Sequence, residues 1–100
     1  MERIVMFIQN TPVLDSFKKR HPRSRKPLES WFRIIKEGKF QCLMDLRETF
    51  NSVDYVEKED VYIFNIGGNN YRLTAQIVFR FETLTVLKVE THDEYSKKRN

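Results

Sequence analysis

One cysteine, Cys42, is all that the 100 residues contain. A lone thiol excludes an internal disulfide and any zinc site built on several thiolates. It fits a reducing, cytosolic setting. The longest apolar run, Ile4 to Ile8, is far short of a membrane span. The N-terminus lacks the apolar core and cleavage site of a signal peptide, so the expected protein is soluble and cytoplasmic, with no membrane partner. The acidic residues form no spaced pair of the kind that a metal or glycosidase site needs. Glycine is scarce, with three in the chain. The Gly67-Gly68 pair is no phosphate loop, because it joins two strands rather than a strand to a helix. Internal repeats and low-complexity segments are absent as well.

The residues that are present suit one small domain spanning 1–100. A hydrophobic fraction of 40%, with 13% aromatic, is enough for one two-layer core. The net charge of +4 attracts polyanions, and RNA or DNA is the default partner for a small basic domain. A modest lysine excess serves equally as a solubility device.

Read in order, Arg3 to Ile8 is β-branched and aromatic, apolar on both faces, and predicts a strand covered on both sides. Thr11-Pro12 starts a helix that carries Val13, Leu14 and Phe17 and stops before Pro22. Ser24 is a candidate cap for a second helix, with Leu28, Trp31, Phe32, Ile34 and Ile35 as its apolar stripe and Gly38 as its stop. Phe40 to Phe50 predicts a short helical turn or loop that lids the core. The pattern then changes to strands at Asp54–Val56, Val61–Ile66, Tyr71–Arg80 and Leu84–Glu90. Gly67 to Asn70 forms a hairpin turn between two of them. The end from Lys97 is polar and expected to fray. The fold class is therefore α+β: an N-terminal strand and two helices packed on one face of an antiparallel sheet, with the other face partly open.

Alternation over Tyr71 to Phe79 puts Tyr71, Leu73, Ala75, Ile77 and Phe79 on the core side and Arg72 on the open side. Leu87 and Val89 are expected to share the core side, which leaves Lys88 beside Arg72. His92 and Tyr95 follow at the same edge. Two cations, an imidazole and a phenol on one concave face suit cleavage of a phosphodiester without metal or cofactor. A 2′-hydroxyl must lose a proton, the phosphorane gains negative charge, and the 5′-oxygen must be protonated. Each residue has an ordinary alternative: Arg72 a solvated strand residue, Lys88 a surface charge, His92 a turn cap, Tyr95 a packing aromatic. Seven of the nine residues from Lys18 to Lys26 are Lys, Arg or His. Lys18, Lys19, Arg20, Arg23, Arg25 and Lys26 are candidates for phosphate contact, or simply a solvated helix joint.

The segments Glu48-Thr49-Phe50-Asn51-Ser52-Val53-Asp54-Tyr55-Val56, Phe64 to Leu73, and Thr91-His92-Asp93-Glu94-Tyr95 resemble the HigB family of toxins. The resemblance runs from about Leu28 to Tyr95, with several segments in the right order. It implies a RelE-like fold and the toxin of a bacterial type II toxin–antitoxin pair. Such toxins cleave mRNA, commonly in the ribosomal A site, without a metal, leaving a cyclic phosphate and a 5′-hydroxyl. The implied partner is a HigA-like helix-turn-helix antitoxin, through which operator DNA is contacted. Carried over, Arg72 matches the strand arginine on the scissile phosphate, Lys88 sits where relatives often have arginine, and His92 and Tyr95 match a Thr-His-x-Glu-Tyr ending. Relatives with lysines on the second strand point to Lys58 as the nearest counterpart. Two other functions fit the same residues: a non-catalytic RNA-, ribosome- or antitoxin-binding co-repressor module, and a nuclease acting on free RNA.

Overall fold

The computed structural model describes residues 6–98. Residues 3–5 of the expected first strand lie outside them. The rest of that strand is β1 (Phe7–Gln9). Its outward residue is not covered: Phe7 is 62% exposed. The reason is position, because β1 is a sheet edge.

Helix α1 (Pro12–Arg20) begins on proline, whose missing N–H costs nothing in the first turn, and ends two residues before Pro22. It buries Leu14 and Phe17. A 3-10 turn at Pro22–Ser24 leads into α2 (Arg25–Glu37), which buries Leu28, Trp31 and Ile35. Ser24 stands at the cap position without capping. Its hydroxyl is fully buried and donates to the His21 carbonyl at 2.6 Å. Ile34 leaves the expected stripe and is exposed, because a position six residues past Leu28 has turned off the core side. Gly38 ends the helix at φ −81°, so its freedom is not the reason for glycine here. A Cβ at that point would run into the Phe40 ring. The lid is a true helix, α3 (Leu43–Thr49), with Leu46 fully buried.

Strands β2 (Asp54–Val56), β3 (Val61–Ile66), β4 (Tyr71–Val78) and β5 (Thr83–Thr91) form the antiparallel meander. The five-stranded order is β1-β5-β4-β3-β2, and β1 runs parallel to β5. The sheet is therefore mixed rather than purely antiparallel. Strand β4 stops at Val78, short of the expected Arg80, because Phe79–Phe81 tightens into a 3-10 turn closed by Glu82 in the left-handed region at φ 52°.

A bulge breaks the β4–β5 register. Thr74 pairs with Lys88 and Ala75 with Val86, which leaves Leu87 as the extra residue. Leu87 is accordingly 41% exposed instead of core-facing, and its place inside is taken by Val86. Beyond the bulge the alternation resumes with Val89 buried.

The core lies between α1, α2 and α3 and one sheet face. Trp31 and Phe50 both meet the Phe64 ring edge-on, with centroids 5.4 and 5.3 Å apart. The last element among the described residues is a helix that the polar composition does not advertise, α4 (His92–Lys98). Among the described residues no helix is long and apolar enough to cross a membrane.

Candidate active site

Arg72 lies near the start of β4, on the face opposite α1, α2 and α3, with Asn65 and Glu90 as its cross-strand neighbours. The next position along that face is Thr74, paired with Ile63 on one side and Lys88 on the other. Lys88 thus faces the same way as Arg72, as the alternation requires. Its ammonium is 3.8 Å from Glu90 Oε1, and the Glu90 side chain is buried while that of Lys88 is half exposed. Both residues line a cleft of about 350 Å³ together with Val56, Val61, Ile63 and Tyr95. Val56, Val61 and Ile63, facing outward from β2 and β3, make part of its floor apolar.

Helix α4 delivers the other two residues. Thr91 accepts from the Glu94 N–H through its hydroxyl at 3.1 Å, and the Thr91 N–H donates to Glu94 Oε1 at 2.9 Å. This reciprocal pair is a capping box, and it satisfies two donors that a helix start would leave unmet. The Thr91 N–H is the main cause that holds the Glu94 carboxyl below the usual carboxylate range. Burial opposes it, and the Thr91 hydroxyl and the charges of His21 and Arg20 add to the lowering. The His92 N–H donates to the Asn70 carbonyl at 2.8 Å, which ties the helix start to the β3–β4 turn.

These anchors bring three of the four expected catalytic residues together. Arg72 Nη2 is 3.4 Å from His92 Nδ1. The Arg72 guanidinium carbon lies 5.4 Å from the Tyr95 ring centroid, a cation–π distance. Lys88 stands one pair of positions along the sheet, across the cleft that Tyr95 also lines. Two further residues hold Arg72: Asn69 Oδ1 at 2.6 Å from Nη2 and the Asn69 and Tyr71 carbonyls at 3.3 Å from Nη1. In the sequence alone Asn69 and Asn70 read only as turn formers, and Glu90 only as a strand residue. The Thr-x-x-Glu spacing of Thr91 and Glu94 was the available signal for α4.

The basic run divides. Lys18 is drawn to Asp15 and Glu29 at 3.7 and 3.8 Å and bridges α1 to α2. Lys19, Arg20, Arg23, Arg25 and Lys26 are exposed. Arg20 also rests over the Phe17 ring, 5.5 Å from its centroid. The joint sits at the same end of the molecule as Arg72. The His21 ring is 6.5 Å from that of Tyr71, and a Cβ on Gly67 would touch Pro27 at 3.4 Å. Lys58 is exposed in the β2–β3 turn, which Tyr55 closes by donating to Asp60 Oδ1 at 2.8 Å. Glu59, not Lys58, reaches the cleft. Among the described residues no group of three or more His, Cys, Asp or Glu side chains is placed to hold a metal ion.

Residues 24–98 match the family described as HigB toxin, the RelE-like toxic component of a toxin–antitoxin system. The chain is 29% identical over 93 residues to the mRNA interferase HigB of Escherichia coli O6:H1, with 92% of this chain and 90% of the relative covered. It is 29% identical, again over 93 residues, to the mRNA interferase toxin HigB of Escherichia coli K12, with 90% and 88% covered. The match takes in every element from α2 to α4, and with it the whole meander and the Arg72 site. The chain therefore belongs to the HigB toxin family, its sheet and helices form a RelE-like fold, and it is the toxic partner of an antitoxin.

Proposed function

We propose that this single-domain toxin is an mRNA endonuclease that works on the open face of its sheet and stops translation. The relatives named as mRNA interferases support the activity. The observation that carries the site is the meeting of Arg72, His92 and Tyr95 at the start of α4. In this reading the RNA 2′-hydroxyl loses its proton and its oxygen attacks the adjacent phosphorus. The P–O5′ bond breaks, leaving a 2′,3′-cyclic phosphate, and the departing 5′-oxygen takes a proton. Arg72 contacts the scissile phosphate and stabilises the charge that develops on it. His92 and Tyr95 carry the proton transfers. Lys88 adds positive charge from the neighbouring strand, tempered by Glu90 at 3.8 Å. Every step uses this chain's own side chains, with no cofactor.

The exposed cations Lys19, Arg20, Arg23, Arg25 and Lys26, with Lys58 and the partly shielded Lys18, hold the RNA or ribosome phosphates. The substrate is mRNA in the ribosomal A site, in the cytoplasm. The antitoxin is a HigA-like helix-turn-helix protein, and the toxin reaches operator DNA only through it.

Expression of the protein without antitoxin is expected to arrest growth and to create new 5′ ends inside codons, mapped by primer extension. Arg72→Ala is expected to relieve both. Arrest without new 5′ ends would replace the nuclease with a non-catalytic ribosome binder. Full toxicity in Arg72→Ala, Lys88→Ala and His92→Ala alike would remove the site.

A further inference from the structure

The turn ahead of Arg72 does more than reverse the chain. Gly67 and Gly68 take φ of 63° and 68°, and the Asn70 N–H donates to the Gly67 carbonyl at 3.3 Å. Those glycines absorb the left-handed geometry that a tight hairpin demands. Asn69 is outside that requirement, since its φ is not positive. Yet both of its oxygens turn back on Arg72. The carboxamide oxygen, at 2.6 Å from Nη2, makes the shortest of the contacts to the guanidinium; the others range from 3.3 to 3.4 Å.

A guanidinium only donates, in a fixed planar fork. Where Arg72 Nη2 faces His92 Nδ1, that ring nitrogen must accept. The proton of the neutral imidazole then sits on Nε2, pointing away from Arg72. The state of His92 is thereby linked to where Arg72 is held, and Arg72 is held most closely by Asn69. An arginine already fixed gives up less rotamer freedom when it takes a phosphate than one that swings free.

We propose that Asn69 is a positioning residue of this site. Its carboxamide and carbonyl oxygens hold the Arg72 guanidinium, and through it the His92 ring, in the arrangement that cleavage uses. The proposal rests on the reading that Arg72 and His92 act on RNA. In this role Asn69 acts through Arg72.

The test compares the parent, Asn69→Ala, Asn69→Asp and Arg72→Ala in a ribosome-dependent cleavage assay, with nitrogen NMR of the His92 imidazole alongside. Alanine fits the backbone at position 69 and keeps the main-chain carbonyl, so the turn survives. A misplaced arginine is expected to slow cleavage about tenfold to a hundredfold in Asn69→Ala, at unchanged cut positions. Asn69→Asp keeps an acceptor oxygen at the same reach and recovers most of the rate. The parent imidazole shows the Nε2–H tautomer, and Asn69→Ala shifts it toward a mixture. Parent-like cutting by Asn69→Ala overturns the proposal while leaving the nuclease reading intact. So do equal losses in Asn69→Ala and Asn69→Asp with an unchanged tautomer, which would mark a turn residue only. A parent protein that leaves mRNA uncut while Arg72→Ala behaves identically removes the nuclease reading itself, and the proposal with it.

Discussion

Arg72 shows how one residue gathers a site. It is half-buried, so its stem covers sheet while its fork reaches the turn and α4. Tyr95 lies over that fork, and two roles compete for it. The ring orients the guanidinium by cation–π contact, and the hydroxyl transfers a proton. Tyr95→Phe separates them, since it keeps the ring and deletes the oxygen. Proton transfer by a placed side chain is worth about 10²–10⁴ in rate, so a loss of that order is expected in single-turnover cleavage. A rate near the parent's would reassign Tyr95 to holding Arg72. At this scale much was legible in the chain. Strict alternation from Tyr71 put Arg72 outward, and the polar cluster at 91–95 put His92 and Tyr95 beyond the last strand. Leu87 was not legible. The bulge places two residues against one with no glycine to mark it, and alternation alone carries Leu87 to the wrong face. Lys88 kept its expected side only because the bulge falls before it.

Among the elements, α4 matters most to the site and was the one missed. It has seven residues, few apolar side chains and no stripe, so periodicity is silent. Its start rests instead on the Thr91–Glu94 capping box. Thr91→Ala removes the cap hydroxyl, at a cost of about 1 kcal/mol to the helix, which is roughly a fivefold shift in the helix opening equilibrium. Amide exchange at Ser96 and Lys97 should quicken by about that factor while the Phe64 amide stays protected. Equal exchange would show that packing, not the cap, holds α4. The cap also sets a pH dependence. Glu94 titrates below its unfolded value, so its contribution is complete above the unfolded carboxylate range and is lost as pH falls through the folded value. Acid should therefore fray α4, and Glu94→Gln should blunt that response. The β1–β5 pairing was hidden for a different reason. A three-residue strand carries no mark of its neighbour, and its parallel partner lies more than seventy residues away in sequence.

For the molecule as a whole, the question is whether its positive charge is arranged or merely present. The net charge of +4 is modest, but the joint between α1 and α2 concentrates exposed cations at the Arg72 end. Arg33 and Lys36, in the second half of α2, and Lys39, just past its end, are equally exposed. Where they come nearest along the helix, Lys26 and Arg33 are seven residues and about 10 Å apart, beyond the roughly 8 Å over which physiological salt lets charges act. Two triple variants, Arg23→Ala/Arg25→Ala/Lys26→Ala and Arg33→Ala/Lys36→Ala/Lys39→Ala, lose the same net charge from opposite ends. Binding to a 2′-O-methylated single-stranded RNA, which cannot be cut, is then followed against salt. Each phosphate contact on a single strand adds about 0.7 to the slope of log affinity on log salt. If the joint holds phosphates, the first variant should lose about 2 from that slope, three contacts at that value, and bind weakly at low salt. The second should keep the parent slope. Equal slopes in both would mean that net charge alone attracts RNA. The joint would then be a solvated helix corner, and the path of the strand toward Arg72 would have to be sought along the cleft of Val61, Ile63 and Lys88 instead.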